Sequence, residues 1–457
     1  MDARVPLISK VAVPGATLRT LAATQPAQFP VFLDSAAHGP LTRYSMLAFE
    51  PGASLVRDAA GALTSSGTPI GTGGFIDNLD SWLRRERVAR NDAKALPFLG
   101  GWFVYLSYEM AAEIEPVLRL PPSEGPLSAF ALRIRHLAVY DHASDSVYAV
   151  SEDADEASHA RLVAHLEQAA LHPLVEPEEN PRVDRWVEEA PDLFLDRVVR
   201  AKEYIAAGDV YQANLSRPWR LRLSEGQDHR QVYEALRRAN PAPFAASVRF
   251  GGMTILSSSP ERLLEIEGRV LSTRPIAGTR RRTGDPDQDL RDTAELVAHP
   301  KERAEHIMLI DLERNDVGRV CEAGSVKVDE YMVTETYAHV HHIVSNVRGT
   351  LRADASAVDA IRALFPGGTI TGCPKIRCMQ IIAELEGEGR GAYTGSLGWI
   401  GSDGDADFNI LIRTLTLRGD RIELRAGAGI VADSIPEREL EETRAKALGM
   451  LRAFEST

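Results

Sequence analysis

Short apolar runs of the length of a β-strand recur along this chain and are separated by turn residues. In the first 150 residues such runs lie at 31–33, 100–106 and 137–140. After residue 190 they lie at 210–215, 245–250, 253–257, 263–266, 344–350, 394–400, 408–417 and 422–431. Helical periodicity predicts helices over 156–170 and 193–207. Strands at hairpin-like spacing favour an α+β fold with antiparallel sheets over a doubly wound parallel sheet.

A polar, proline-rich stretch divides the chain at 172–181, where the sequence reads HPLVEPEENP, which is typical of a linker. We therefore expect an N-terminal region over 1–170, a linker over 171–190 and a catalytic region over 191–457. With 44% hydrophobic residues, the 457-residue chain can bury one large core or two moderate ones. We expect the two regions to pack into one body.

Composition excludes several classes of function. The net charge of −13 argues against nucleic acid as the main partner, because phosphate contacts need clustered Lys and Arg. The three cysteines, Cys321, Cys373 and Cys378, are too few and too irregularly spaced for a disulfide framework or a four-ligand zinc site. No signal-peptide pattern and no run of about 18 apolar residues is found. We expect a soluble, cytoplasmic protein that binds neither nucleic acid nor membrane.

Prolines open two predicted helices, at Pro300 and Pro436, and each helix presents two glutamates at i and i+3 on one face. The pairs are Glu302 with Glu305, and Glu439 with Glu442. Acidic residues in a first helical turn can simply complement the helix dipole and face water, which is our interpretation for Glu437. Alternatively, one carboxylate from each helix meets across a cleft and holds Mg²⁺, which takes oxygen ligands.

Two glycine-rich segments could contact a ligand through their backbone. The loop 365–375 runs into a helix at Pro374, so its amides could face an anion, although the order of Gly, Lys and Ser/Thr is not that of a P-loop. Gly427, Ala428 and Gly429 follow a predicted strand. They would either let backbone N–H groups approach a ligand or form a bulge or tight crossing.

Charged and titratable side chains also occur within predicted strands. Arg413 lies in the otherwise apolar run 408–417, so a structural acid or a ligand carboxylate should pair with it. His339, His341 and His342 lie in one segment. If that segment is a strand, His341 and His342 face opposite sides, and only part of the cluster can serve one site. Each histidine is either structural or available for acid–base chemistry.

Taken in order, six segments resemble those of the chorismate-utilising enzymes, a family that includes anthranilate synthase component I, aminodeoxychorismate synthase component I, isochorismate synthase and salicylate synthase. The segments are 258–261, 275–280, 302–316, 366–375, 412–414 and 427–434. The resemblance covers roughly residues 190–452, with a weaker similarity over 30–110. It implies a fold in which antiparallel sheets pack as a sandwich with helices on the outside.

The resemblance also implies the roles of individual residues. Glu305 and Glu442 would hold Mg²⁺ against the C1 carboxylate of chorismate, with Glu302 and Glu439 as outer or water-mediated ligands. Glu261 would act as a general acid on the departing C4 hydroxyl, which requires a raised pKa. The other implied catalytic positions are His342, near the ring, and Ala277 and Thr279. The implied substrate-binding residues are Gly278, Thr279, Tyr393, Arg413, Gly427, Ala428, Gly429 and Lys446.

Within this family, Gln212 indicates the nucleophile. It lies where the isochorismate and salicylate enzymes carry a lysine that activates water, and a carboxamide cannot act as a base, so ammonia is the better nucleophile. Ala277 lies where many aminodeoxychorismate synthases carry a covalent lysine, which favours anthranilate as product. The segments 209–215 and 366–375 more closely resemble aminodeoxychorismate synthases. We therefore expect 4-amino-4-deoxychorismate, formed through a noncovalent 2-amino-2-deoxyisochorismate, with anthranilate synthesis and a noncatalytic effector-binding role as alternatives.

The sequence also indicates which partners to expect. Neither Cys321 nor Cys373 lies in the G-x-C-x-G elbow of a glutaminase nucleophile, so the resemblance implies a separate glutamine amidotransferase subunit that supplies ammonia. Mg²⁺ is the only cofactor implied. The Phe-Leu-Asp-Ser sequence at 32–35 resembles the stretch that binds tryptophan in anthranilate synthases, so tryptophan is a candidate ligand of the N-terminal region.

Overall fold

The structure is a computed structural model that describes residues 5–454 except 38, 40, 91–95, 175–178, 283–284 and 337–339. Its strands form two large sheets in which every pairing is antiparallel. Among the described residues, none of the helices has both the length and the apolar character needed to cross a membrane.

The first sheet has twelve strands. In chain order they are β1 (Leu7–Val11), β2 (Val31–Asp34), β3 (Tyr44–Phe49), β8 (His136–Asp141), β9 (Ser146–Ser151), β10 (Val183–Glu188), β11 (Gln212–Leu223), β12 (Phe244–Phe250), β13 (Met253–Ser259), β19 (Gly372–Cys373), β22 (Thr414–Arg418) and β23 (Arg421–Ile430). Their spatial order is β1-β9-β8-β3-β2-β12-β13-β22-β23-β11-β10, and β19 pairs with β11.

The second sheet has eleven strands. They are β4 (Ser54–Asp58), β5 (Leu63–Ser66), β6 (Gly101–Leu106), β7 (Leu127–Ile134), β14 (Arg262–Glu267), β15 (Val270–Thr273), β16 (Ile276–Arg281), β17 (Lys327–Thr336), β18 (Val340–Thr350), β20 (Ser396–Gly401) and β21 (Ala406–Asn409). Their order is β16-β18-β15-β14-β21-β20-β6-β7-β4-β5, and β17 pairs with β18. Both sheets therefore combine strands from before and after the predicted linker, part of which forms β10.

The α-helices are α1 (Ala16–Thr24), α2 (Phe75–Glu86), α3 (Ala111–Ile114), α4 (Glu156–Leu171), α5 (Pro191–Ala206), α6 (His229–Ala239), α7 (Pro286–Ala298), α8 (Pro300–Gly318), α9 (Ala357–Leu364), α10 (Lys375–Glu386) and α11 (Pro436–Leu451). Apolar residues of α1, α4, α6 and α11 share a core with the outer face of the first sheet. Those of α2, α8 and α9 share one with the outer face of the second. Helices α5 and α10 pack on β11 and β23.

Alternation along the strands creates the sandwich. In β6, Phe103 and Tyr105 belong to the core between the sheets, whereas Trp102 and Val104 pack against the helices outside. Successive side chains of a strand point to opposite faces, so a strand that is apolar throughout must be covered on both sides. The predicted α+β fold, an antiparallel sandwich with helices outside, is confirmed.

Most predicted elements are present with shifted ends, but the predicted strand 408–417 is wrong. The chain forms β21 up to Asn409 in the second sheet and resumes as β22 at Thr414 in the first. Residues 410–413 cross between the sheets, and Arg413 has a φ of +51° there. The mostly apolar sequence of 408–417 does not reveal this crossing, because the residues before it and the residues after it are both buried.

A buried ion cluster joins α10 to the first sheet. The Glu386 side chain is 0% exposed and contacts Arg390 at 2.6 Å and Arg425 at 3.2 Å, which are 1% and 0% exposed. The Ser216 amide and hydroxyl of β11 also donate to Glu386, at 2.7 and 3.0 Å. The Glu386 carboxylate therefore compensates the charge of two buried guanidinium groups, and Arg425 has a further carboxylate partner in Glu388, at 2.8 Å.

Glu386→Gln should lower the free energy of unfolding by roughly 3–5 kcal/mol, because it removes the charge that compensates two buried cations. Chemical denaturation measures this change. Glu384→Gln, on the same helix, is the matched control, since Glu384 is 46% exposed and pairs with the exposed Arg200. The control should change by less than about 1 kcal/mol. Equal losses in the two variants would contradict the central role of Glu386.

Candidate active site

Glu261 and Arg413 lie at two neighbouring places where the chain crosses between the sheets. Glu261 is between the end of β13 and the start of β14, and Arg413 is between β21 and β22. Backbone hydrogen bonds hold the crossings together: the Ile410 amide donates to the Glu261 carbonyl at 3.0 Å, and the Ser258 amide donates to the Arg413 carbonyl at 3.1 Å. Two residues that are far apart in sequence are thereby brought into electrostatic contact.

Burial controls the acidity of Glu261. Desolvation raises its pKa from 4.5 to about 7, although Thr369, the Ile276 amide and the charges of Lys446 and Arg413 all favour the ionised form. Its Oε1 atom is buried and has no hydrogen-bond partner among the described residues. A carboxyl group with these properties can hold a proton near neutral pH and donate it to a bound molecule.

Arg413 presents a cation with no fixed partner. Within the described part of the chain, its guanidinium group forms no hydrogen bond or ion pair. Burial lowers its pKa, and the nearby Glu261 opposes that effect. The sequence predicted a structural acid or a ligand carboxylate as its partner. The absence of an ion pair among the described residues favours an anionic ligand, which could pair with the guanidinium group through two hydrogen bonds.

His341 and His342 lie in two different environments, because successive side chains of β18 point to opposite faces. His342 is buried and pairs in register with Thr279 of β16. Desolvation and the charge of Arg413 lower its pKa to about 3, so it is neutral near the site. His341 instead contacts the Thr336 hydroxyl through Nδ1, at 2.9 Å. His339 lies outside the described residues.

The remaining residues of the 277–279 motif are described only in part. Ala277 pairs in register with Ile343 of β18, and nothing is described of the side chains of Ala277 and Thr279. Gly278 has a φ of +65°, and a Cβ atom there would lie 3.0 Å from Glu302 Oε2. This glycine therefore lets the first turn of α8 approach β16.

Gly427, Ala428 and Gly429 lie within β23, as the predicted strand over 422–431 requires, and not after a strand as the sequence analysis also proposed. Ala428 is fully buried in the core beneath α5, so the two glycines face the opposite side of the sheet. A Cβ atom at Gly427 would lie 2.7 Å from the Tyr393 hydroxyl, and one at Gly429 would lie 2.2 Å from Gln212 Nε2. The missing side chains make room for side chains from other elements.

Two carboxamides of β11 lie over these glycines. Gln212 and Asn214 are two residues apart and share a face of the strand, and Asn214 Oδ1 would lie 2.8 Å from a Cβ atom at Gly427. Gln212 Oε1 and Asn214 Oδ1 are buried and accept no hydrogen bond from any described residue. Sequence reasoning used Gln212 and Asn214 only to choose between enzymes. Their alternate spacing was the signal that both face one site.

Lys446 connects α11 to this surface. Its Nζ atom donates to the Gly427 carbonyl at 3.0 Å and contacts Glu442 at 2.7 Å. Both side chains are 47% exposed, and the charge of Lys446 acts on Glu261. Lys446, Gly427, Tyr393, Arg413 and Glu261 thus form one connected group.

The four predicted metal-binding glutamates lie on α8 and α11 in different surroundings. Glu302 is 3.7 Å from Arg280, Glu305 is partly buried, Glu439 is buried and Glu442 is half-exposed beside Lys446. Across the described ranges, no three His, Cys, Asp or Glu side chains are arranged to hold a metal ion. Mg²⁺ needs only one or two protein carboxylates when a substrate anion and water complete its shell. The chemistry of the donor set therefore fits Mg²⁺.

The loop 365–375 does not leave its lysine free to bind an anion. Lys375 Nζ lies 2.6 Å from Asp316 and also donates to the carbonyls of Leu364 and Pro366, both at 3.1 Å. The loop contributes instead through Thr369, which interacts with Glu261. Sequence reasoning missed Thr369, and no spacing rule would have found it.

A cavity of about 800 Å³ includes Asp34 and Ser35 of the predicted tryptophan-binding stretch. Asp34 accepts hydrogen bonds from Tyr233 at 3.1 Å and Arg237 at 2.8 Å. Its carboxylate is therefore already occupied by cationic and hydroxyl donors. Tryptophan binding at this stretch stays a prediction.

Comparison with known proteins gives consistent matches. The family model described as chorismate binding enzyme matches residues 42–452. Aminodeoxychorismate synthase component 1 of Bacillus subtilis is 40% identical over 444 residues, covering 93% of this chain and 91% of the relative. Anthranilate synthase component 1 of Streptomyces coelicolor is 43% identical over 381 residues, covering 78% and 73%. The crystal structure of anthranilate synthase component I from Streptococcus pneumoniae matches with a TM-score of 0.79 at 32% identity, covering 90% and 93%.

The raised pKa of Glu261 predicts a pH-dependent stability. Because the fold favours the protonated form, Glu261 contributes stability that is complete below pH 4.5 and is lost as pH rises to about 7. The shift corresponds to about 3 kcal/mol. Glu261→Gln should therefore gain about 3 kcal/mol relative to wild type between pH 4.5 and 8. Urea denaturation across this range measures it, with the exposed Glu437→Gln as control. Parallel curves for wild type and Glu261→Gln would refute the assignment.

Proposed function

The chain belongs to the family of chorismate binding enzymes, and we propose that it is the synthase subunit that converts chorismate and ammonia to 4-amino-4-deoxychorismate. The observation that carries this proposal is the pair of carboxamides, Gln212 and Asn214, over Gly427 and Gly429. Their buried oxygens can accept N–H bonds but cannot deprotonate water at neutral pH. Such a surface suits ammonia as the nucleophile. The product would be a precursor of 4-aminobenzoate and folate.

In this proposal the connected side chains bind and orient chorismate. The Arg413 guanidinium pairs with the enolpyruvyl carboxylate, and the Tyr393 hydroxyl lies against Gly427 on the same surface. The amides of Gly427 to Gly429 and Gly278-Thr279, with Lys446, position the rest of the substrate. The enolpyruvyl carboxylate would supply the ion-pair partner that the Arg413 guanidinium group lacks among the described residues.

Glu261 supplies the proton for the departing hydroxyl. It donates to the C4 oxygen, the C–O bond breaks, and water leaves. Ammonia adds at C2 as the ring double bonds shift, which gives an ammonium group. A second ammonia then adds at C4 while the first leaves C2 as NH3, so the proton from Glu261 stays on the product ammonium group. Neutral His342 lies beside Arg413 and excludes water from that side of the ring. Ala277 offers no amine, so the 2-amino intermediate is noncovalent.

Magnesium is the proposed cofactor, with Glu305 and Glu442 as its ligands and Glu302 and Glu439 behind them. When bound, it would fix the C1 carboxylate and stabilise the charge that develops as the C4–O bond breaks. The proposed source of ammonia is a separate glutamine amidotransferase subunit. Anthranilate synthesis is the alternative function, supported by the 43% identity to the Streptomyces coelicolor anthranilate synthase component 1.

A product assay separates these functions. The purified chain is incubated with chorismate, ammonium and Mg²⁺, and its products are resolved by chromatography. We expect 4-amino-4-deoxychorismate, which added aminodeoxychorismate lyase converts to 4-aminobenzoate. Fluorescent anthranilate as the main product would establish the alternative. Isochorismate would show that water, not ammonia, is the nucleophile.

Glu305→Ala and Glu442→Ala test the metal site. Each should reduce magnesium-dependent turnover by roughly 100-fold or more, because an ion held by fewer carboxylates stabilises less developing charge. Glu437→Ala is the control on the exposed first turn of α11. Thermal denaturation without metal should be unchanged. Normal turnover in either glutamate variant, titrated with Mg²⁺, would remove that residue from the metal site.

A further inference from the structure

A second buried carboxyl group lies behind Glu261. Glu313 of α8 is only 4% exposed. A Cβ atom at Gly368 would lie 3.1 Å from Glu313 Oε1, so this carboxyl group packs directly against the turn that begins at Gly368. The next residue of that turn is Thr369, which interacts with Glu261. Thr369 therefore lies between two buried acids.

The groups between the two acids are available for proton exchange. Thr369 Oγ1 and Glu261 Oε1 are both buried, and neither atom forms a well-aligned hydrogen bond with a described residue, although the Thr369 hydroxyl lies close enough to Glu261 to influence its pKa. A hydroxyl group can donate one hydrogen and accept another, which a proton relay requires. No aliphatic side chain could replace Thr369 in this role.

The outer end of this path reaches the surface. Asp316 lies one turn beyond Glu313 on α8 and contacts Lys375 at 2.6 Å. Asp316 and Lys375 both line a surface groove of about 760 Å³. Exchangeable groups thus extend from the groove through Asp316, Glu313 and Thr369 to Glu261.

The proton affinities of the two acids agree with this arrangement. Desolvation, followed by the charge of Asp316, raises the pKa of Glu313 to about 8, while Lys375 opposes the shift and Glu261 adds to it. Among the described residues, Asp316, Lys375 and Glu261 are the charged groups with the largest effects on Glu313. Glu313 therefore holds a proton at neutral pH, where Glu261 is close to half-protonated.

We propose that Glu313 and Thr369 form a relay that returns a proton to Glu261 after each turnover, an inference that rests on the proposed function of Glu261 as a general acid. Glu261 gives its proton to the leaving hydroxyl, which departs as water. The Glu261 carboxylate then takes a proton from the Thr369 hydroxyl, which simultaneously takes one from Glu313. Asp316 passes a proton from the groove to Glu313. A bound substrate would otherwise separate buried Glu261 from solvent.

Each relay residue can be replaced by a side chain of nearly the same size and shape that cannot transfer a proton. Glu313→Gln retains an acceptor but cannot return a proton, and Thr369→Val replaces the hydroxyl by a methyl group. Steady-state kinetics with chorismate, ammonium and Mg²⁺ should show a kcat about 10-fold or more below wild type in each, with KM within about twofold. Thr369→Ser keeps the hydroxyl and should restore kcat. The solvent deuterium isotope effect on kcat should increase in Glu313→Gln.

Three results would overturn the relay. These are an unchanged kcat in both Glu313→Gln and Thr369→Val, an equal loss in Thr369→Ser and Thr369→Val, and a loss explained by a raised KM or a lowered Tm. Infrared titration of the Glu313 carboxyl band, assigned by its disappearance in Glu313→Gln, tests the connection without substrate. Its apparent pKa should fall in Glu261→Gln, because the Glu261 charge that raises it is removed.

An unchanged Glu313 titration in Glu261→Gln would overturn the relay even if the enzyme proved inactive with ammonium. Conversely, a wild-type chain that fails to turn over chorismate while its Glu313 titration responds to Glu261→Gln would refute the proposed function and keep the coupling of the two acids. The two failures are thus distinguishable.

Discussion

The buried pairing of Glu386 with Arg390 and Arg425 is the interaction on which the site surface depends. Arg390 also donates to the Asn214 carbonyl at 2.7 Å, and its guanidinium lies 5.6 Å from the centre of the Tyr393 ring. One carboxylate therefore fixes the end of α10, the strand that carries the carboxamides and the segment that carries the tyrosine. Buried charges need such partners because an unpaired one is very costly.

The exchange of strands between the sheets explains where the chemistry is concentrated. A sheet interior needs apolar side chains, but a crossing interrupts the ladder and leaves positions for polar ones. Glu261 and Arg413 occupy two such crossings. Backbone hydrogen bonds between the crossings, and not a salt bridge between the side chains, hold the two residues near each other. Burial within the sandwich removes water from the Glu261 carboxyl group, and this desolvation favours its protonated form.

The sequence predicted features that depend on local rules. Pro300 and Pro436 begin helices as predicted, although Glu439 and Glu442 of the second helix differ in burial, the first being buried and the second half-exposed. The break at Arg413 was not predictable, because both halves of 408–417 are apolar and only the partner strands differ. The position of Gly427 within a strand also depends on distant residues, since Tyr393 fills the space above it. The roles of these residues came from family resemblance, not from physical rules.

The interleaved strand order has a consequence for synthesis of the chain. Phe32 of β2 pairs with Ser247 of β12, and Trp102 of β6 pairs with Ile400 of β20. Loops of such length must close before either sheet is complete, which makes folding slow. On the ribosome, β6 keeps an unpaired, strongly apolar edge until most of the polypeptide has emerged. During that interval the exposed edge can pair with other chains, so aggregation competes with completion of the sheets.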